Sequence, residues 1–208
     1  MTRRRRLTMA VTLAALALAL AACGVPTSSG AKALSQGDLP PSPAQTPTTV
    51  PQTGLIGVPI VLLDAATNPA TAVPELRYTP QQSYRLSAPL RFLLQGPAGL
   101  EPAHGLFSAI PPTTKLIGVS PNPVVTSSGA PASLVTVNLS PDFLETSGSN
   151  QVLAAEQVVF TVACNLSLTT RVSFQVAGVP QGVPVANGTF VRSPVSAADY
   201  GSPPTCPS

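Results

Sequence analysis

The sequence predicts one small α+β domain built from short elements, and three observations carry that expectation. β-Branched runs with a period of two alternate along the chain with two stretches in which apolar residues recur at helical spacing. The 25 prolines among 208 residues exclude a long bundle or coiled coil, because each ring fixes φ and removes a backbone donor. The length suits one core plus extensions, and too few residues remain for two comfortable domains. Hydrophobic residues at 44% exclude a wholly disordered chain, whereas charged residues at 9% leave the surface to Ser, Thr, Gln, Asn and Pro.

The first element is a buried strand opening at Leu55, where Ile56, Val58, Ile60, Val61, Leu62 and Leu63 form a β-branched run. A weaker strand follows the Asn68-Pro69 turn, around residues 75–78. Between Ser87 and Gln95 the spacing changes: Leu90, Leu93 and Leu94 lie at i, i+3 and i+4, Ser87 is available as a cap, and Pro89 suits the first turn. Gly96-Pro97 stops this helix, since glycine accepts a left-handed exit and proline cannot continue. Residues 115–119 and 134–139 read as paired strands joined by a proline, serine and glycine loop, with Val135, Val137 and Leu139 on the buried face of the second. A helix of about three turns is expected over 151–163, with Ser149 or Asn150 as caps; its β-branched second half requires tertiary burial. Val172, Phe174 and Val176 then alternate with Ser173 and Gln175 as a final core strand before Gly178. In the tail from Val179 onward, the best-ordered portion is expected to be a short edge segment near Phe190.

Ahead of the domain, residues 1–22 read as a signal peptide, with Arg3 to Arg6 followed by an uncharged apolar run from Met9 to Ala22. That run is shorter than the roughly 20 residues a membrane-spanning helix needs. Leu20-Ala21-Ala22-Cys23 resembles the lipobox of bacterial lipoproteins, which implies a diacylglycerol on Cys23 and cleavage before it, leaving 186 residues. Each buried lipid methylene adds about 0.8 kcal/mol, so acyl chains alone would hold the protein on the outer face of the cell membrane. The alternative is an ordinary secretory signal with a chance cysteine. Residues 23–54, rich in Pro, Ser and Thr, cannot bury enough surface to order themselves and read as a disordered tether reaching up to roughly 90 Å. The domain is assigned to 55–200 and a C-terminal tail to 201–208. Without the first 22 residues, seven Lys and Arg face eight Asp and Glu, a net charge of −1, so the basic balance of the full chain gives no reason to expect nucleic acid.

The order of elements and four sequence pieces resemble the GerMN domain of sporulation and spore germination proteins, also found in actinobacterial lipoproteins. Leu93-Leu94-Gln95-Gly96-Pro97 is similar to the family's helix end, and Gly105-Leu106-Phe107-Ser108-Ala109-Ile110-Pro111 to its Gly-Leu-x-Ser-x-Ile-Pro segment. Asn138-Leu139-Ser140 with Phe143 resembles its Asp-Leu-Ser and following Phe, with Asn138 departing from the usual Asp. Gln157 and Thr161, in Glu156-Gln157-Val158-Val159-Phe160-Thr161, are similar to its Gln-rich helix. The resemblance covers roughly residues 55–200. It implies a sheet with two helices packed on it, related to the ring-building modules of sporulation channels, used for protein contacts in envelope complexes and, in some longer relatives, beside a membrane sensor kinase. It carries no catalytic residues.

The inventory for chemistry is thin. His104 is the single histidine and sits in the turn-rich Glu101-Pro102-Ala103-His104-Gly105; it is read as a solvated loop residue in preference to a base oriented by Glu101. No Gly-x-Ser-x-Gly nucleophile turn occurs, and one histidine with scattered carboxylates gives no metal-ligand spacing. Asp142 and Glu145 are read as capping or solvated groups in preference to a carboxylate pair. Outside the cell, Cys164 and Cys206 are expected to pair, closing 43 residues and contributing on the order of 4 kcal/mol in the chain-entropy treatment; the alternative is two free thiols with Cys164 buried. Asn165-Leu166-Ser167 and Asn187-Gly188-Thr189 match glycosylation acceptors by coincidence. The expectation is a non-enzymatic lipoprotein without cofactor or metal, contacting envelope proteins such as a sensor kinase or another membrane complex. The alternative is a lipoprotein that binds a small ligand or cell-wall fragment.

Overall fold

The computed structural model describes residues 54–67, 69–81, 84–124 and 133–207. The signal peptide, Cys23, nearly all of the tether, Asn68 of the first turn and most of the loop expected between 119 and 134 lie outside the described residues.

Strands β1 (Leu55–Asp64) and β2 (Thr71–Pro80) pair antiparallel along their whole length, from Leu55 opposite Pro80 to Asp64 opposite Thr71. The turn between them is held by Asp64, whose Oδ1 accepts the Ala66 N–H at 2.8 Å. β2 is longer than the weak strand expected at 75–78, and Pro74 does not break it. Val61, opposite Pro74, turns both its N–H and its C=O away from β2, so Pro74 stands where the ladder requires no donor.

Helix α1 (Ser87–Gln95) buries Leu90 and Leu93. Ser87 is not its side-chain cap. Leu86, fully buried, already has helical φ and ψ and draws the start of the helix back by one residue. Asn122 serves the helix start from a distant loop: its Oδ1 accepts the Ser87 N–H at 3.0 Å and its Nδ2 donates to Ser87 Oγ at 3.1 Å. At the other end Gly96, at φ 75°, donates its N–H to the Leu93 carbonyl.

A two-residue strand β3 (Leu106–Phe107), too short to show a period, pairs with the end of β1. β4 (Leu116–Ser120) pairs antiparallel with β5 (Leu134–Leu139), and β5 runs parallel to β6 (Arg171–Val176). The crossover that parallel strands require is helix α2 (Ser149–Asn165), preceded by a 3-10 turn at Pro141–Glu145. Neither Ser149 nor Asn150 caps α2. The cap position is Gly148, at φ 61° and ψ −139°, a conformation open to glycine, and this places both polar residues inside the first turn.

β6 is not the last strand. Ala177 and Gly178, at φ 50° and 81°, form a two-residue turn into β7 (Val179–Gln181), and a hairpin of β8 (Val183–Pro184) and β9 (Phe190–Val191) follows. The tail also reaches further into the core than expected. Val195, Ala197 and Tyr200 are buried, the last two in a 3-10 turn (Ala197–Tyr200), and the Tyr200 ring meets Phe160 edge-on at 6.4 Å.

The α+β class with two helices is what the chain forms, but its strands do not make one sheet. They divide into the orders β2-β1-β3, β4-β5-β6-β7 and β8-β9. The cause is α2, which lies along the edge of β1 where a further strand would otherwise pair. Gln157, Thr161 and Asn165, spaced i, i+4 and i+8, are all buried and aim at that edge. Thr161 Oγ1 accepts the Val61 N–H at 3.0 Å, Gln157 Nε2 donates to the Val61 carbonyl at 3.0 Å, and Asn165 Nδ2 donates to the Pro59 carbonyl at 2.7 Å. Pro59 has no N–H, so this edge lacks a donor at the one position where α2 supplies no acceptor for it.

Thr161→Val keeps the shape of the side chain but leaves the Val61 N–H buried without a partner, a loss of about 1–3 kcal/mol. Urea unfolding should show that drop for Thr161→Val and a clearly smaller one for Thr161→Ser, which retains the acceptor oxygen.

Candidate functional site

Gln157 is the centre of the family-motif residues. Besides its bond to Val61, its Oε1 accepts the Ala109 N–H at 2.8 Å and the Ser108 hydroxyl at 3.3 Å, while Ser108 Oγ accepts the Ile110 N–H. Gly105, at φ 84°, turns the chain so that Leu106 enters β3 and Ser108 reaches the helix, and the Pro111 carbonyl closes the following turn by accepting the Thr114 N–H. Leu93 is buried, Leu94 is partly buried against the core, and Gly96 with Pro97 ends α1. Asn138 Oδ1 accepts the Gly178 N–H at 3.0 Å, so an amide oxygen at the position of the family's Asp secures the β6–β7 turn. Leu139 is buried, Ser140 Oγ accepts the Lys115 N–H at 2.9 Å, and Phe143 stacks on Phe174 at 6.0 Å. These residues serve the scaffold and do not converge on an open reactive point.

Asn165 was not among the residues expected to matter, yet its Nδ2 also donates to the Thr161 carbonyl and its Oδ1 accepts the Tyr84 hydroxyl at 3.0 Å. The signal for it was a polar residue every fourth position in an otherwise apolar helix. Its burial removes the amide from the reach of any glycosylating enzyme.

His104 ends the 3-10 turn Pro102–His104 and is exposed. Glu101 does not orient it. Its two carboxylate oxygens accept from the Arg77 guanidinium at 2.7 Å each, and Oε2 also accepts the Ala98 N–H. The hydrogen bonds from Arg77 hold this carboxyl below the usual range; burial opposes them, and the Ala98 N–H adds a lesser lowering. Asp142 is likewise held low, first by the Ser140 hydroxyl that donates to it at 2.6 Å. Among the described residues no three His, Cys, Asp or Glu side chains gather to hold a metal ion.

Cys164 and Cys206 are joined with their sulfurs 2.01 Å apart, tying the chain's last residues to the final turn of α2. Beyond the motif residues, the opening turn of α2 and the β8–β9 hairpin border a shallow, solvent-open cleft of about 540 Å³, with Ser149, Gln151, Val152, Pro184, Asn187 and Phe190 on its sides. No charged side chain lines it. Among the described residues no helix is long and apolar enough to cross a membrane.

Such a chain is a small α+β module defined by its scaffold, with the buried Gln157, Thr161 and Asn165 side chains engaged by its own backbone. It belongs to the Germane family, described as sporulation and spore germination, whose profile matches residues 61–182. This is not a known enzyme family. Among solved structures, the tandem GerMN domains of the sporulation protein GerM from Bacillus subtilis match with a TM-score of 0.51 at 16% identity, over 71% of this chain and 46% of that one. The first GerMN domain of the same protein matches with a TM-score of 0.49 at 15% identity, over 69% of this chain and 98% of that one. At these identities the likeness is one of fold, and this chain spans less than half of the tandem structure. A search of the curated proteins found no match.

Glu156, half-buried on α2, has its carboxyl pushed up from an ordinary 4.5 to about 7 by burial. The unfolded chain therefore releases this proton at lower pH than the folded one, and the group's contribution to stability falls as pH rises from about 4.5 through about 7. Glu156→Gln should flatten the stability curve over that window and raise the melting temperature above pH 7, as read by calorimetry in a pH series.

Proposed function

We propose that this chain is a non-enzymatic envelope lipoprotein, acylated on Cys23, whose GerMN-type domain contacts protein partners at the outer face of the cell membrane. The observation that supports it most directly is the outer edge of β2. β2 ends its sheet, and Leu76 and Tyr78 stand 40% and 54% exposed along it. Because the β1 partners of Pro74, Leu76, Tyr78 and Pro80 share the parity of Val61, these four residues direct their main chain outward. Pro74 and Pro80 lack donors, so an incoming strand finds its ladder in the segment between them, with Leu76 and Tyr78 as side-chain handles. The Arg77–Glu101 pair, at 2.7 Å, fastens the middle of that segment to the loop before β3. The basic start, the apolar run and Cys23 support the anchor, and the proline-rich stretch after Cys23 gives the domain reach above the lipid. A sensor kinase or another membrane complex is the candidate partner.

A photo-crosslinking residue at position 78 in intact cells tests this. It should yield one reproducible adduct with a membrane protein, absent when the crosslinker replaces exposed Leu168, and Cys23→Ala should both release the protein from the membrane fraction and abolish the adduct. Membrane retention of Cys23→Ala, or no adduct from position 78, overturns the proposal.

A further inference from the structure

The family profile ends at residue 182. Residues 183–191 fold as the β8–β9 hairpin against the opening turn of α2, and the cleft of about 540 Å³ lies between them. That volume falls within the roughly 300–1,000 Å³ typical of small-molecule sites.

Its outer wall is fixed in advance. The Val185 N–H donates to Thr189 and the Gly188 N–H to Val185, closing the hairpin turn, while Asn187 Oδ1 accepts the Thr189 N–H. The hairpin is then fastened to the 3-10 turn behind it. The Tyr200 hydroxyl donates to the Pro184 carbonyl at 3.1 Å, the Ala186 N–H donates to the Asp199 carbonyl at 3.1 Å, and Ser196 with Asp199 forms a reciprocal cap. Tyr200 packs on Phe160 of α2, so wall and floor are parts of one rigid unit. A cleft with fixed walls does not spend binding energy on ordering them.

The lining states the chemistry of its occupant. No charged side chain offers an ion-pair partner, and the one fixed charge at the cleft is the partial positive end of α2, whose opening turn lines it. The polar groups are a hydroxyl and two carboxamides, on Ser149, Gln151 and Asn187. Among the described residues the side chains of Ser149 and Gln151 have no hydrogen-bond partner, and Asn187 uses only its oxygen. Beside them the Phe190 ring stands 56% exposed. Neutral groups able both to donate and to accept, next to an exposed aromatic face, suit a ligand that carries many hydroxyls on one side and a flat row of C–H bonds on the other.

We propose that this cleft binds a neutral saccharide segment, with Phe190 stacking on one sugar ring and Ser149, Gln151 and Asn187 bonding its hydroxyl or acetamido groups. The site is separate from the β2 edge and holds whether or not Cys23 is acylated.

The test is a titration of the detergent-solubilised, isotope-labelled full chain with chitotetraose and with cellotetraose, followed by amide NMR. At least one should give saturable shifts at Ser149, Gln151, Gly188 and Phe190. Phe190→Ala should weaken binding by roughly tenfold and Gln151→Ala by a few fold, without changing the melting temperature, because neither side chain is buried in the core. Absence of saturable shifts with either sugar up to about 10 mM, shifts at the same amides with sodium phosphate but not with sugar, or undiminished binding by Phe190→Ala each overturns the assignment.

Discussion

The far edge of β1 is a backbone that must be satisfied inside the core, and side chains satisfy it. Val61 there presents a buried N–H and a buried C=O, Pro59 a buried C=O, and an unpaired group of this kind costs about 1–3 kcal/mol. Helix α2 meets all three from Thr161, Gln157 and Asn165. A helix can do this only if its polar residues fall on one line, if the strand runs along that line, and if the remaining faces of the helix are apolar. Ala154, Ala155, Val158, Val159 and Val162 meet the last condition.

Much of the remaining architecture follows from that fit. With α2 against β1, the strands before and after the helix must pair elsewhere, and β5 and β6 do so in parallel as the centre of a separate sheet. Gln157 reaches past β1 to Ser108 and Ala109, which fixes the loop leaving β3. Asn165 reaches Tyr84, which fixes the approach to α1. Ser108 and Ala109, distant in sequence from Gln157 and Thr161, are thus joined to them in space through one helix. The polar side chains of the buried stripe, Gln157, Thr161 and Asn165, are taken up by the fold.

The elements set by local chemistry were legible from the sequence. The β-branched run of β1, the alternation of β5 and β6, the leucine spacing of α1 and the Gly96-Pro97 stop each reflect burial and backbone limits within about ten residues. Four features were not legible, three because they depend on a distant partner and one, the start of α2, because a glycine conformation set it. Asn122 replaced Ser87 at the start of α1, Gly148 replaced Ser149 and Asn150 at the start of α2, the two-residue β3 had no period to show, and the tail gained its burial from Tyr200 against Phe160. The division into several sheets was hidden for the first of these reasons, although the polar stripe that causes it is visible in residues 157, 161 and 165. Of the surfaces open for binding, the cleft was the least legible, since it joins residues some 40 positions apart and contains no charged group to draw notice.

The prolines of the β1–β2 ribbon carry one more implication. Pro74 and Pro80 stand at positions where the pairing needs no donor, and an alignment displaced by one residue would lose that fit. Sliding β2 by a single residue would set each ring nitrogen against a carbonyl waiting for a proton, while also exchanging the inner and outer faces of the strand. Residues that ordinarily discourage strands thus act here as a ratchet, leaving misaligned ribbons without the bonds that would let them persist.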